Sequence, residues 1–183
     1  MRLVAEREQL PVQQARTGSP DAWEIIFQRY QLPLYVYVFQ LLHREQASLD
    51  VVQEAFISAT RHLKSLREDD KLGSWLFGIA HQKVLLLWRR ESREARLFAA
   101  TEVAPLDFEE GPDELLIREE QELAFMKLLD QLPVPQRSVL LLHFVEDFSL
   151  LEIAAITETA LGTVKSRLHY GKRALRQLLQ DKL

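Results

Sequence analysis

The chain contains no cysteine. Disulfides, thiolate metal sites and cysteine nucleophiles are therefore excluded, and the absence fits a reducing compartment. No apolar run approaches the roughly 18–20 residues that a membrane-crossing helix needs. Met1 to Leu10 is mixed and charged, without an apolar signal segment. A soluble, cytoplasmic protein with no membrane insertion of its own is expected. Nothing resembles a GxxxxGK[ST] loop. His43, His62, His81, His143 and His169 are scattered, without HExxH spacing and without a dense carboxylate cluster. No catalytic residue, metal site or cofactor is expected, so an enzyme is set aside. Glycine is scarce, with 6 in 183 residues, and no convincing alternating strand pattern occurs.

What is present is globular and helical. Hydrophobic residues make up 47% and charged residues 27%, a folded rather than disordered balance. The length allows one large domain or two small ones. The net charge of −4 hides an asymmetry: residues 1–90 carry +2, residues 91–130 carry −8, and residues 131–183 carry +2. An acidic middle separates two mildly basic ends, which says more about partners than the total does.

Helical periodicity dominates, so an all-α fold is expected. The first 18 residues are weakly patterned and read as a loosely docked tail. Ser19-Pro20-Asp21 is a helix start, with a capping serine and a proline at the first helical position. Trp23, Ile26, Phe27 and Tyr30 follow at helical spacing, and Pro33 is expected to end that helix or open the next. A further helix fits Ser48 to Leu66, with Val52, Ala55, Phe56, Ala59 and Leu63 on one apolar face. Asp50, Gln53, Glu54 and Ile57 lie off that face. Another helix fits Ser74 to about Arg93 and ends in a basic cluster. Residues 95–112, punctuated by Pro105, Gly111 and Pro112, read as an acidic linker. Helical pattern resumes near Asp113, breaks at Pro133-Val134-Pro135, and continues to about Val145. Two small helical domains are therefore expected, at 19–94 and 113–183.

The C-terminal segment carries the strongest signal. Ser149-Leu150-Leu151-Glu152 is a capping box that opens a short helix ending by Thr157. The next helix, about Ala160 to Leu179, places Leu161, Val164, Leu168, Gly171, Leu175, Leu178 and Leu179 on one stripe. Thr163, Ser166, His169, Tyr170 and Arg173 lie away from the stripe. Lys165, Lys172 and Arg176 form one shoulder and Arg167 sits on the other. A short helix, a tight turn and a basic second helix make a helix-turn-helix. In that motif the second helix enters the major groove with base-edge readers at its N-terminal end, while flanking Lys and Arg meet phosphates. The plainer alternative is a solvated basic face.

Taken in order, Leu132-Pro133, Val139-Leu140-Leu141-Leu142, Phe148 to Ala154 and Gly162 to Leu168 resemble region 4 of bacterial sigma factors of the extracytoplasmic-function group. Asp50-Val51-Val52-Gln53-Glu54-Ala55-Phe56 resembles their region 2, supported by Phe27-Gln28-Arg29-Tyr30 and Trp75-Leu76-Phe77-Gly78-Ile79-Ala80. The resemblance covers roughly 20–95 and 113–180. It implies a sigma domain 2 bundle and a sigma domain 4 helix-turn-helix joined by the linker. It implies that Asp50, Gln53, Glu54 and Ile57 meet the β′ clamp coiled coil of core RNA polymerase, with the β flap as a second contact. It implies that residues 65–74 open the −10 promoter element and capture a flipped base. Lys64, Arg67, Lys71, Arg89, Arg90 and Arg93 would then serve as −10 DNA contacts, with Trp75 as a stacking surface or a core aromatic. Thr163, Lys165, Ser166, Arg167, His169, Tyr170, Lys172, Arg173 and Arg176 would read or flank the −35 element. Family members are commonly held inactive by an anti-sigma factor, so such a partner is expected beside polymerase and promoter DNA.

Three positions depart from the family pattern. His81-Gln82 stands where an Arg-Asn pair is usual. Leu86 replaces a helical Asp, and Glu158 replaces the turn glycine of the helix-turn-helix. The acidic linker reads either as a mimic of nucleic acid inside the polymerase or as a self-repelling spacer. The competing function is a helix-turn-helix repressor or activator that binds duplex DNA on its own, usually as a symmetric dimer.

Overall fold

The computed structural model describes residues 10–98 and 125–180, and within these every regular element is helical. Helix α1 (Val12–Arg16) precedes α2 (Pro20–Leu42), whose N-terminus is capped by Ser19 accepting from the Ala22 amide. Helix α3 spans Glu45–His62 and runs into a tight 3₁₀ turn, Leu63–Ser65. A second such turn, Asp69–Lys71, leads into α4 (Leu72–Phe98). After a helical turn at 125–129 come α5 (Val134–Leu140), a wider π-type turn (Leu141–Val145), α6 (Leu150–Ile156) and α7 (Leu161–Gln180).

The residues expected to be a loose tail are docked where they are described. Val12 and Ala15 are buried, Trp23 Nε1 donates to the Ala15 carbonyl at 3.1 Å, and Arg16 donates to the Leu66 carbonyl at 2.6 Å while pairing with Asp69. Two apolar positions in one helical turn suffice to anchor a segment this short. Pro33 does not end α2 either; it lies buried inside an unbroken helix. Proline removes one backbone hydrogen bond and crowds the preceding turn. Burial of Tyr30, Leu34, Tyr37 and Val38 around it offsets that cost. Helix α4 extends to Phe98, so the expected linker start at 95 falls inside the helix. The rest of the acidic stretch, and the helical start near Asp113, lie outside the described residues.

Helices α2, α3 and α4 pack around Ile26, Leu34, Ala55, Ala59, Leu76 and Ala80, and α5 to α7 around Leu140, Ile153, Val164 and Leu168. Inside the helix-turn-helix, a Cβ at Gly171 would stand 2.9 Å from Leu140 Cδ1. The glycine therefore permits the close approach of α7 to α5. The two groups of helices do not stand apart as the linker suggested: α4 packs on α6 and α2 on α5. Phe77 of α4 meets Phe148, just before α6, edge-on at 5.1 Å between ring centres.

Candidate nucleic-acid and protein interfaces

On α3, the apolar stripe turns inward as its spacing requires. Val52, Ala55, Phe56 and Ala59 are buried, while Asp50, Gln53, Glu54 and Ile57 are exposed along the opposite side. Ile57 keeps 42% of its surface in contact with solvent. Glu54 pairs with Lys83 of α4 at 3.2 Å, and Asp50 accepts from Gln46 at 2.9 Å. These are exposed contacts worth little in water, so a partner displaces them at small cost. Phe56 is a core residue, packed against Phe27 at 4.8 Å between ring centres.

The residues expected at the −10 element divide into two groups. Lys64, Arg67, Arg89, Arg90 and Arg93 are exposed. Lys71 is exposed as well but pairs with the other helix group, and Trp75 turns toward the core. Lys71 Nζ is 3.2 Å from Glu152 Oε1 of α6, and that hydrogen bond raises its pKa. Trp75 is half-buried and packs on the hydrophobic core.

On α7, Val164, Leu168, Gly171 and Leu175 form the buried stripe. Leu178 is half-buried and Leu179 is exposed, so the stripe fades in the last turn. Thr163, Lys165, Ser166, His169, Tyr170, Lys172, Arg173 and Arg176 are exposed, and Arg167 is half-buried. Ser166 Oγ donates to the Gly162 carbonyl at 3.0 Å. The capping box is complete: Ser149 accepts from the Glu152 amide, and the Glu152 carboxylate accepts from the Ser149 amide at 3.0 Å. In the turn between α6 and α7, Glu158 has φ +48°. A left-handed backbone is what the replaced glycine would supply without strain. Thr157 holds the turn by donating to the Ile153 carbonyl at 2.7 Å.

Sequence reasoning missed the polar groups between the two helix groups. Tyr37 of α2 is buried, and its hydroxyl lies 2.8 Å from His81 Nδ1 of α4 and 2.8 Å from Ser138 Oγ of α5. Burial drives the His81 pKa down to about 4, and the nearby Arg167 guanidinium pushes the same way. His81 is therefore neutral at pH 7, and the phenol donates to one neighbour and accepts from the other. Arg137 of α5 is buried and reaches into the end of α2. Its Nη1 donates to the Gln40 carbonyl at 2.7 Å and to His43 Nε2 at 2.5 Å, while Nη2 donates to the Asp130 carbonyl at 2.8 Å. Burial and the Arg137 charge lower the His43 pKa, against the pull of Asp130, which suits an accepting imidazole. A cation there also satisfies a carbonyl that the helix end leaves without an internal partner. Glu146 is buried beside Tyr30, and burial raises its pKa to about 7. The one sequence signal for this cluster was His81, singled out because it departs from a basic-polar pair.

A helical bundle followed by a helix-turn-helix is the arrangement that two family models match in this chain. "Sigma-70 region 2" covers residues 26–94, and "Sigma-70, region 4" covers residues 122–175. The chain belongs to the sigma-70 family. It is similar over nearly its whole length to named sigma factors. It is 29% identical to the RNA polymerase sigma-H factor of Pseudomonas aeruginosa, covering 99% of this chain and 98% of that protein. It is 28% identical to the ECF sigma factor SigW of Bacillus subtilis, over 93% and 95%. It is also 28% identical to the ECF sigma-E factor of Escherichia coli, over 94% of each. Among solved structures, CnrH in complex with the cytosolic domain of CnrY superposes with a TM-score of 0.66 at 22% identity, covering 94% of this chain and 96% of that one. The sigma factor RpoE with the anti-sigma factor NepR from Bartonella quintana gives 0.67 at 24%, covering 86% and 98%. These two likenesses establish a shared fold. Together the matches make this chain an RNA polymerase sigma factor of the extracytoplasmic-function type. No described helix of this sigma factor is long and apolar enough to cross a membrane.

Proposed function

We propose that α3 docks this sigma factor on core RNA polymerase, that α4 with the preceding turn serves the −10 element, and that α7 serves the −35 element. The observation that carries this reading is the split of α3: a buried apolar stripe of Val52, Ala55, Phe56 and Ala59, and Asp50, Gln53, Glu54 and Ile57 presented together on the outside. Acidic and amide groups around one apolar side chain suit a basic-rimmed protein surface such as the β′ clamp coiled coil, with the β flap left for the second domain. The domain limits 19–94 and 113–183 go with this division of labour. Lys64, Arg67, Lys71, Arg89, Arg90 and Arg93 supply backbone contacts near the −10 element, Lys71 by giving up its exposed pair with Glu152, and Trp75 borders them from the edge of the core. On α7, Lys165, Arg167, Lys172, Arg173 and Arg176 serve phosphates, whereas Thr163, Ser166, His169 and Tyr170 reach base edges. The protein works in the cytoplasm, without chemistry of its own, and an anti-sigma factor restrains it, as the names of the structural neighbours suggest.

The test is titration into core polymerase lacking any sigma factor, read as complex formation on a sizing column. One-to-one binding, lost on replacing Asp50, Gln53 and Glu54 together with Ala, supports the reading. Absence of binding, with sequence-specific binding of the free protein to duplex DNA, would favour the repressor instead. On α7, Lys165→Ala should weaken promoters evenly, and Ser166→Ala or Tyr170→Ala should cost roughly 1–3 kcal/mol at particular −35 positions.

A further inference from the structure

The loop between α3 and α4, Leu63 to Lys71, carries residues assigned above to strand opening. Leu63, Leu66 and Leu72 are buried and pin it to the core. The five residues between Leu66 and Leu72 are exposed or half-buried, and α1 reaches them from the side. Arg16 Nη2 donates to the Leu66 carbonyl at 2.6 Å and lies 2.7 Å from Asp69 Oδ1. Gln13 Nε2 donates to Asp69 Oδ2 at 2.7 Å. Two side chains three residues apart, neighbours on one helix face, thus take both oxygens of one carboxylate. Only 19% of the Arg16 side chain is exposed, so its stem is packed while its head reaches the loop. Helix α1 is itself fixed on α2: Val12 and Ala15 are buried, Trp23 Nε1 donates to the Ala15 carbonyl, and the Ser19 amide donates to the Gln14 carbonyl at 3.1 Å. Charge adds a second reason for the contact. Glu68, Asp69 and Asp70 set three carboxylates in a row where a phosphate backbone, itself anionic, is to pass. Arg16 pairs with the middle one, and Lys71 lies 3.8 Å from Asp70.

We propose that Arg16, assisted by Gln13, is a positioning residue for promoter opening: α1 braces the loop, through the Leu66 carbonyl and the Asp69 carboxylate, in the shape that accepts an unpaired −10 base. The proposal rests on the sigma-factor reading for what the loop does. Arg16 touches no DNA in this scheme and acts through Leu66 and Asp69. Capture of an unstacked base is favoured by a preformed surface, because ordering a loose loop at the moment of binding costs conformational entropy. With α1 docked, that ordering is complete before the strand arrives. Arg67 and Lys71, two residues to either side of Asp69, are thereby held at a fixed spacing for the strand backbone.

The test uses holoenzyme reconstituted from core polymerase and the full chain. The parent holoenzyme first recovers a duplex from a random-sequence pool, and this duplex and each of its separated strands are the probes. Arg16→Met keeps the packed stem and removes the donors. It should bind core polymerase, and the closed duplex in the cold, as the parent does. Its affinity for the strand that the parent prefers should fall about tenfold, near the lower end of what one stacked base contributes. Permanganate reactivity of unpaired thymines in the warmed duplex should fall with it. Arg16→Lys, which can still pair with Asp69, should lie between the two. Asp69→Ala should lose strand affinity as well, and the double variant should lose little more than the worse single one, because the pair acts as a unit. In the free protein, amide exchange across residues 66–71 should quicken in Arg16→Met while α3 keeps its protection. Unchanged strand affinity or unchanged exchange in Arg16→Met would overturn the proposal. So would an equal loss of core and closed-duplex binding, which marks a general loss of fold. Should Arg16→Met fail to fold, judged by circular dichroism, the exposed Gln13 decides: Gln13→Ala should lose strand affinity about twofold, as for one exposed contact, and no loss overturns the proposal. Failure of the parent to bind core polymerase takes down the sigma-factor reading itself, whereas a normal parent beside an unaffected Arg16→Met takes down this proposal alone.

Discussion

Helices α3 and α4 pack on each other within one helical bundle, yet their outer faces differ in fate. Among the described residues, the face of α3 with Asp50, Gln53, Glu54 and Ile57 is exposed and carries one ion pair, from Glu54 to Lys83, and one hydrogen bond, from Gln46 to Asp50. The corresponding face of α4, from Trp75 to Gln82, is half-buried or buried beneath a second domain. Both faces carry polar residues off an apolar stripe, so the stripe alone does not separate them. What separates them is chemistry. The α3 face carries full charges, which tolerate burial only when paired. The α4 face offers Gly78, His81 and Gln82, which are small or neutral and accept a neighbour's backbone and hydroxyl groups. The charge on a surface thus tracks its burial: the charged face of α3 stays exposed, and the neutral face of α4 is covered by the chain itself.

The sharpest way to break this comparison is Arg137→Ala. The change removes hydrogen bonds to the Gln40, Asp130 and Leu132 carbonyls and leaves those acceptors buried. Charged hydrogen bonds of this kind are worth about 1.5–3 kcal/mol each, and the losses do not add fully. A loss of about 3 kcal/mol in urea unfolding is expected, with helical circular dichroism of the surviving fold retained at low urea. Binding to core polymerase through α3 should persist where the protein remains folded. Gly171→Val comes next and acts inside the covering domain only. Its Cβ would push on Leu140, which is fully buried and would have to repack. A cost of about 1–3 kcal/mol is expected, partly recovered by adding Leu140→Ala. Gly171→Ala should be close to neutral, because better helix propensity offsets a milder clash.

Protonation sharpens the comparison because the buried titratable groups sit on the covered side. Burial raises the Glu146 pKa from 4.5 to about 7, so the folded state holds a proton that the unfolded chain releases. Its contribution is fully present below pH 4.5 and is lost as pH rises toward 7. His81 runs the other way: its pKa falls from 6.5 to about 4. Its contribution is present above pH 6.5 and is lost as pH falls toward 4. Glu146→Gln should therefore flatten the alkaline limb of a stability profile measured by urea unfolding between pH 4 and 8, and leave the acid limb in place. Because the His81 gain between pH 4 and 6.5 opposes the Glu146 loss, the reading is the difference between variant and parent: a Glu146→Gln profile parallel to the parent from pH 4.5 to 7 would mean that Glu146 is not buried in solution as it is here.

Much of this arrangement was legible in the sequence, for reasons specific to each element. The α3 split followed from i, i+3, i+4 spacing because, among the described residues, no other helix covers its outer face. The capping box at Ser149 and Glu152 could be read because both bonds lie within four residues. The contact between the two helix groups could not be read, because Tyr37, His81 and Ser138 are far apart in the chain and meet only through packing. Pro33 misled because local propensity predicts a break, whereas tertiary burial on both sides of it holds the helix. Residues 10–18 misled because two buried positions, Val12 and Ala15, make too short a pattern to register as amphipathic. Of the three departures from the family pattern, His81 proved to belong to the interdomain contact, and Leu86 stands 58% exposed on the outside of α4.

The third departure, Glu158, gives the smallest expected effect and the cleanest check on the turn that positions α7. A side-chain-bearing residue in the left-handed region is strained by roughly 1–2 kcal/mol relative to glycine, and Glu158 sits there at φ +48°. Glu158→Gly removes that strain. It also frees the unfolded chain, which costs about 0.4–1 kcal/mol in the opposite direction. The residue is exposed and its carboxylate holds no packing in place, so the net gain should be about 0.5 kcal/mol, a rise of a degree or two in melting temperature. The same substitution should leave the charged face of α3 untouched. A loss of stability would mean that the turn takes a different shape in solution, and with it that α7 presents Ser166 and Tyr170 at another angle.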